Sequence, residues 1–171
     1  MPRPAWSFAP VLAPALLLAT ATATAGDAPL PREVGAGLKA AAGLCTEVGG
    51  TPRTRDAVKR TDLNGDGHTD FVLDVGSIQC DGAFGVYGDR EKGVTVYVGD
   101  GKGGATEAFA DAAYGLRLDG GKLWLTLAGG QCGRKPAPDF ASESFCERPL
   151  AWNATTRKFS YAPVSAVRMI Q

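Results

Sequence analysis

Only one stretch of the chain repeats apolar residues at helical spacing; most of the rest alternates. In "PREVGAGLKAAAGLC", residues 31–45, Val34, Leu38, Ala41 and Cys45 recur at intervals of three and four, which gathers them on one helix face. Pro31 and Glu33 suit a helix start, and Gly49 and Gly50 a helix stop. The apolar stripe is thin, so the helix is expected to lie on a sheet rather than form a core alone. After Thr51 the period drops to two. "FVLDV" puts Phe71, Leu73 and Val75 on one face. "VTVYV" sets Val94, Val96 and Val98 against Thr95 and Tyr97, and "LWLTL" sets Leu123, Leu125 and Leu127 against Trp124 and Thr126. "LAWN" and "KFSYA" flank "ATTR" as a terminal hairpin. Short period-two runs parted by glycine-rich turns predict a mainly β fold, an antiparallel sheet or small sandwich with one N-terminal helix; an α+β arrangement is the alternative.

The first 25 residues read as a secretory signal peptide. Arg3 precedes an apolar run at 8–19, and "ATA" at 23–25 offers a small-x-small cleavage site. The run falls short of the about 20 residues that span a bilayer, and an uncleaved anchor is the weaker alternative. The chain is therefore expected in the periplasm or outside the cell, without membrane insertion after cleavage. Residues 26–171 then form one domain. Without Arg3, 17 basic residues face 18 acidic ones, and no basic stripe marks a nucleic-acid partner. Cys45, Cys80, Cys132 and Cys146 form no C-x-x-C pair, so two disulfides are expected rather than a zinc or redox site. Three pairings are possible. Cys45–Cys80, tying the helix to the strands, and Cys132–Cys146, closing a short loop, are favoured.

The chemistry concentrates in "TDLNGDGHTDFVLDV", residues 61–75. With Asp62 as position 1, side-chain oxygens fall at positions 1, 3, 5 and 9: Asp62, Asn64, Asp66 and Asp70. Gly65 and Gly67 let the backbone curl, and the backbone carbonyl of His68 at position 7 can turn inward. Ca²⁺ takes six to eight hard oxygen donors, and Mg²⁺ demands stricter octahedral geometry, so Ca²⁺ is the better match for a structural ion. A hydrated, Asx-rich turn without metal is the alternative. An EF-hand is excluded, since position 12 is Leu73 instead of Glu and a strand follows.

A D-x-N-x-D-G-x-x-D loop running into a strand resembles the calcium loop of FG-GAP repeats and the related VCBS-type repeats. "VTVYVGDGKGGATEAF" is similar to the strand and glycine turn that follow it there. The resemblance covers about residues 58–110, a single repeat. It implies Ca²⁺ held by Asp62, Asn64, Asp66, Asp70 and the His68 carbonyl. It does not extend to the family's propeller, because blades of roughly 40–50 residues cannot be stacked seven times in a chain this short.

Other signals weigh less. "GDGKGG" at 99–104 fits G-x-G-x-x-G, with "ATEAFADAAYG" as a short helix, but no βαβ alternation surrounds it and Asp-Gly is a strong hairpin signal. His68, the only histidine, is expected to point to solvent. Trp124, Trp152, Tyr87, Tyr97 and Tyr114 either line a ligand surface or fill a second core under a loop or helix. "NAT" at 153–155 fits a glycosylation acceptor but is better read as part of the hairpin turn. The expectation is an exported binding or envelope-associated domain with structural Ca²⁺ and no catalysis, its partner a protein or glycan. Two alternatives are a small hydrolase using acids among Glu107, Asp111, Asp119, Asp139, Glu143 and Glu147, and an inhibitor or adhesion module presenting the 132–146 loop.

Overall fold

The computed structural model describes Met1, residues 29–88 and residues 90–170. The leader expected at 1–25 lies, Met1 apart, outside the described residues. No helix among the described residues is long and apolar enough to cross a membrane.

Helix α1 (Arg32–Glu47) buries Val34 and Cys45. Its end is a Schellman-type closure. Gly50 N–H donates to Cys45 O at 2.9 Å, Gly49 N–H donates to Thr46 O at 3.0 Å, and Gly49 supplies the left-handed residue at φ 82°. β1 (Thr51–Arg53) follows, then β2 (Val58–Thr61), β3 (Asp70–Asp74), β4 (Gln79–Asp81), β5 (Lys92–Gly99) and β6 (Ala105–Ala113). The second half contains β7 (Gly115–Asp119), β8 (Lys122–Ala128), β9 (Phe145–Asn153), β10 (Lys158–Tyr161) and β11 (Arg168–Met169).

All pairings are antiparallel. One sheet runs β2-β3-β5-β6, a second runs β7-β8-β9-β10 with β11 also on β9, and β1 and β4 form a separate ribbon. The expected alternation decides which face goes where. Val72, Val94, Val96 and Val98 on the first sheet meet Leu123, Leu125, Leu127, Leu150 and Phe159 on the second. The opposite face of the first sheet packs Phe71, Leu73 and Tyr97 with Val34 of the helix. The fold is thus a two-sheet sandwich with α1 as a third layer. Each fully buried Leu of β8 contributes about 1.5–3 kcal/mol relative to exposure.

The segment "ATEAFADAA" is a strand, not the short helix of the dinucleotide outline. Alanine favours helix, but pairing along all of β5 overrides that preference. The register shifts between Val96 and Tyr97, and small Ala105, Ala108 and Ala113 fit the closely packed positions. The two favoured disulfides are the ones formed. Cys45–Cys80 joins the end of α1 to β4 across a Cα–Cα distance of 5.6 Å, and Cys132–Cys146 closes the β8–β9 connection at 6.2 Å.

The outer face of the second sheet carries a charged lattice. Arg117 donates from Nε and Nη2 to Glu147 at 2.6 and 2.8 Å, and from Nη1 to Asp119 at 2.8 Å. The bonded guanidinium holds both carboxyls below their ordinary range. A carboxyl whose folded pKa is depressed binds protons less readily than in the unfolded chain. Its stabilisation is therefore present above the ordinary carboxylate range and lost as pH falls through and below it. We expect urea midpoints to fall from about pH 5 downward and Glu147→Gln to flatten that slope. An acid slope in Glu147→Gln equal to the parent's would show that this lattice does not carry it.

Candidate metal centre

The loop 62–70 links β2 to β3, whose pairing brings Thr61 opposite Asp70. The chain must therefore reverse within a few residues, and Gly65 and Gly67 do so at φ 79° and 82°. The polar side chains fold back on the loop's own amides. Asp62 accepts from Gly65 N–H at 2.7 Å and Gly67 N–H at 2.9 Å. Asn64 Oδ1 accepts from Asp66 N–H at 2.9 Å, and Asn64 Nδ2 donates to Asp66 Oδ2 at 3.0 Å. Asp66 Oδ1 accepts from His68 N–H at 2.8 Å. That last bond, followed by the Asn64 amide, keeps the Asp66 carboxyl below its ordinary range and therefore charged at neutral pH.

Asp70 behaves differently. It is the one fully buried charged residue among those described. Its Oδ2 accepts from Leu63 and Asn64 N–H at 2.9 and 3.3 Å, and its Oδ1 accepts from Gly99 N–H at 3.1 Å. Burial pushes its pKa up, against the pull of the three amides. Asp70 thus brackets the loop to the end of β5. The bracket is tight: a methyl group on Gly99 would overlap the Thr69 carbonyl oxygen. Sequence reasoning placed Asp70 among the oxygen donors and missed this structural duty. The available signal was its place as the first residue of a buried strand.

The five sequence-predicted positions therefore share one curled loop. Among the described residues, no three His, Cys, Asp or Glu side chains converge closely enough to form a ready metal cage. Asp62 and Asp66 are exposed and turned onto backbone N–H groups. A carboxylate has about four lone-pair sites; Asp62 uses two of them, and Asp70 uses three. The donor set is all hard oxygen, which suits Ca²⁺ rather than an ion preferring imidazole or thiolate. His68 is exposed as expected, and its ring lies over Gly101, where a Cβ would stand 2.6 Å from ring atoms.

"GDGKGG" is the β5–β6 hairpin turn. Asp100 Oδ1 accepts from Lys102 and Gly104 N–H at 2.7 and 2.9 Å. A strand follows it, so the helix that would receive a dinucleotide phosphate is not formed there. The aromatic candidates are mostly structural. Tyr97 lies buried under α1, and Tyr87 donates to Ala41 O at 3.0 Å. Trp152 packs on Phe159 with centroids 4.9 Å apart. Trp124 is covered by the guanidiniums of Arg168 and Arg117 at 4.1 and 5.2 Å. Tyr114 is half-exposed, with its ring 4.8 Å from that of Phe145 and 5.9 Å from that of Phe140.

Five of the six candidate acids outside the loop have side-chain partners, and Glu107 takes part through its backbone oxygen, which accepts from Lys158. Asp139 accepts from Ser142, Glu143 accepts from Gly129 and Ser144 N–H, and Asp111 accepts from the Tyr161 hydroxyl. Asp119 and Glu147 share Arg117. Hydrogen bonds hold the Asp119, Asp139 and Glu147 carboxyls below their ordinary range. No family model matches the chain, and the searches of curated proteins and of solved structures found no match to it.

Proposed function

We propose that this chain is an exported domain whose 62–70 loop binds structural Ca²⁺, and that its role is binding or envelope association rather than catalysis. The observation that carries this reading is the loop itself. It gathers three carboxylates and an amide within nine residues, and two of the carboxylates are exposed. Asp66 is held charged by its own backbone. Asp62, Asn64, Asp66, Asp70 and the His68 carbonyl would hold the ion, which offsets the repulsion among the acids and pins the β2–β3 turn. The sequence resemblance to FG-GAP and VCBS calcium loops supports the same reading, as do the two disulfides, which suit an oxidising compartment.

An ion that binds only the native loop stabilises it by mass action, by about 2.7 kcal/mol at a hundredfold excess over Kd. For a domain of this size that corresponds to a rise in Tm on the order of 10 °C. We expect EDTA to lower Tm by that order, calcium to restore it, and Asp66→Ala to melt like the EDTA-treated parent in both buffers. Equal melting of the parent in EDTA and calcium, with no calcium found by elemental analysis, would sink the proposal.

A further inference from the structure

We propose that the recess beside β4 binds a small organic carboxylate, with its acid group on Lys92 and its apolar body on Phe84 and Ile78. The recess has a volume of about 390 Å³, within the usual range for a small-molecule site. It lies apart from loop 62–70 and shares no residue with it, so it stands or falls independently of the calcium proposal.

Three observations converge on this ligand class. The first is charge. Arg53 on the recess wall is paired with Asp81 at 2.7 Å. Asp74, on a second recess of about 230 Å³ across Lys92, is paired with Lys59 at 3.2 Å and accepts from the Ser77 hydroxyl at 2.7 Å. The Lys92 side chain lines both recesses and makes no hydrogen bond or ion pair with another described residue, so the unmatched charge is a single ammonium. One ammonium matches one carboxylate. A phosphate would call for more donors, as an arginine fork supplies.

The second observation is position. The Lys92 stem crosses the backbone of Gly76 so closely that a Cβ there would stand 3.1 Å from Lys92 Cδ and 3.2 Å from Asp74 Oδ1. The contact fixes the stem as a partition between the two recesses. The third is apolar surface. Phe84 is 99% exposed, while Ile78 is nearly buried at 4%. The loop bearing Phe84 turns on Gly82, Gly85 and Gly88, all at positive φ, and is tied down where the Tyr87 hydroxyl donates to Ala41 O. An aromatic ring held in water on the rim, a buried aliphatic floor and a lone cation form a site for an apolar acid.

The test titrates phenylacetate, and separately the neutral phenylacetamide, into ¹⁵N-labelled protein to millimolar concentration. Phenylacetate is expected to shift the amides of Gly76, Ile78–Asp81, Phe84–Gly88 and Lys92 in a saturable way and to bind about tenfold tighter than the amide. Lys92→Gln should abolish that preference. Phe84→Ala, on an exposed loop where folding is safe, should weaken acid and amide by similar factors. Equal affinity for acid and amide, a preference that survives Lys92→Gln, or an absence of shifts at these residues would each overturn the proposal.

Discussion

Asp70→Ala is expected to cost on the order of 3–5 kcal/mol, the largest loss from a single substitution outside the apolar core. The substitution leaves the N–H groups of Leu63, Asn64 and Gly99 without their acceptor. A buried donor left unmet costs about 1–3 kcal/mol. Gly99 is walled in by Thr69 and Phe71 and should bear the full penalty, while Leu63 and Asn64 are half-buried and water can recover part of theirs. Asp70→Asn keeps the shape and one acceptor oxygen, so it should lose roughly half as much. The decisive measurement is urea denaturation in EDTA, where any calcium contribution is removed. Asp62→Ala should then cost only about 1 kcal/mol, because the amides it frees are exposed. If Asp70→Ala and Asp62→Ala denature at the same midpoint in EDTA, Asp70 is no bracket and its value lies only in what the loop binds.

The second large effect is expected on opening Cys45–Cys80. Its bond closes a separation of 35 residues and that of Cys132–Cys146 one of 14. Loop-closure entropy then assigns about 4 kcal/mol to the first and about 3 kcal/mol to the second. Cys45→Ala/Cys80→Ala should therefore lower stability more than Cys132→Ala/Cys146→Ala. Packing opposes this order: Cys45 and Cys146 are equally buried, but Cys132 is buried and Cys80 only half-buried, so the order tests loop length against packing. Opening Cys45–Cys80 should also release the end of α1 from β4, seen as faster amide exchange at Ala42–Glu47 than in the other double variant. Equal unfolding midpoints for the two double variants would count against the entropic ordering.

Legibility in the sequence followed the strength of the periodic signal. β3, β5 and β8 declared themselves through apolar residues at every second position, and the residues grouped on each face came out as read, although both faces of β3 and β5 are buried. The helix declared itself through Val34, Leu38, Ala41 and Cys45, with its glycine stop. What the sequence hid were elements held by partners rather than by pattern. β1 and β2 lie in "TPRTRDAVKRT", where charges mask any alternation, and form because β4 and β3 offer edges. β6 is alanine-rich and exists through its register with β5. The loop was visible because Asp, Asn and Gly at fixed spacing is a local code. The buried bond from Asp70 to Gly99 joins residues 29 apart, and no local pattern encodes it. The recess at Lys92 was invisible for the same reason, since β4, the following loop and β5 meet there only in three dimensions.

The strand order has a consequence for how the chain is partitioned. Each sheet is a nearly unbroken meander in sequence, the first from residue 58 to 113 and the second from 115 to 161. Each disulfide closes within its own half. Across the boundary the only covalent link is the backbone through Tyr114, and what joins the halves besides it is the apolar interface with a few polar ties such as Tyr161 to Asp111 and Lys158 to Glu107 O. The molecule is therefore partitioned along the chain into two pieces, each holding its own strand pairings and its own crosslink, and the two share a single apolar core.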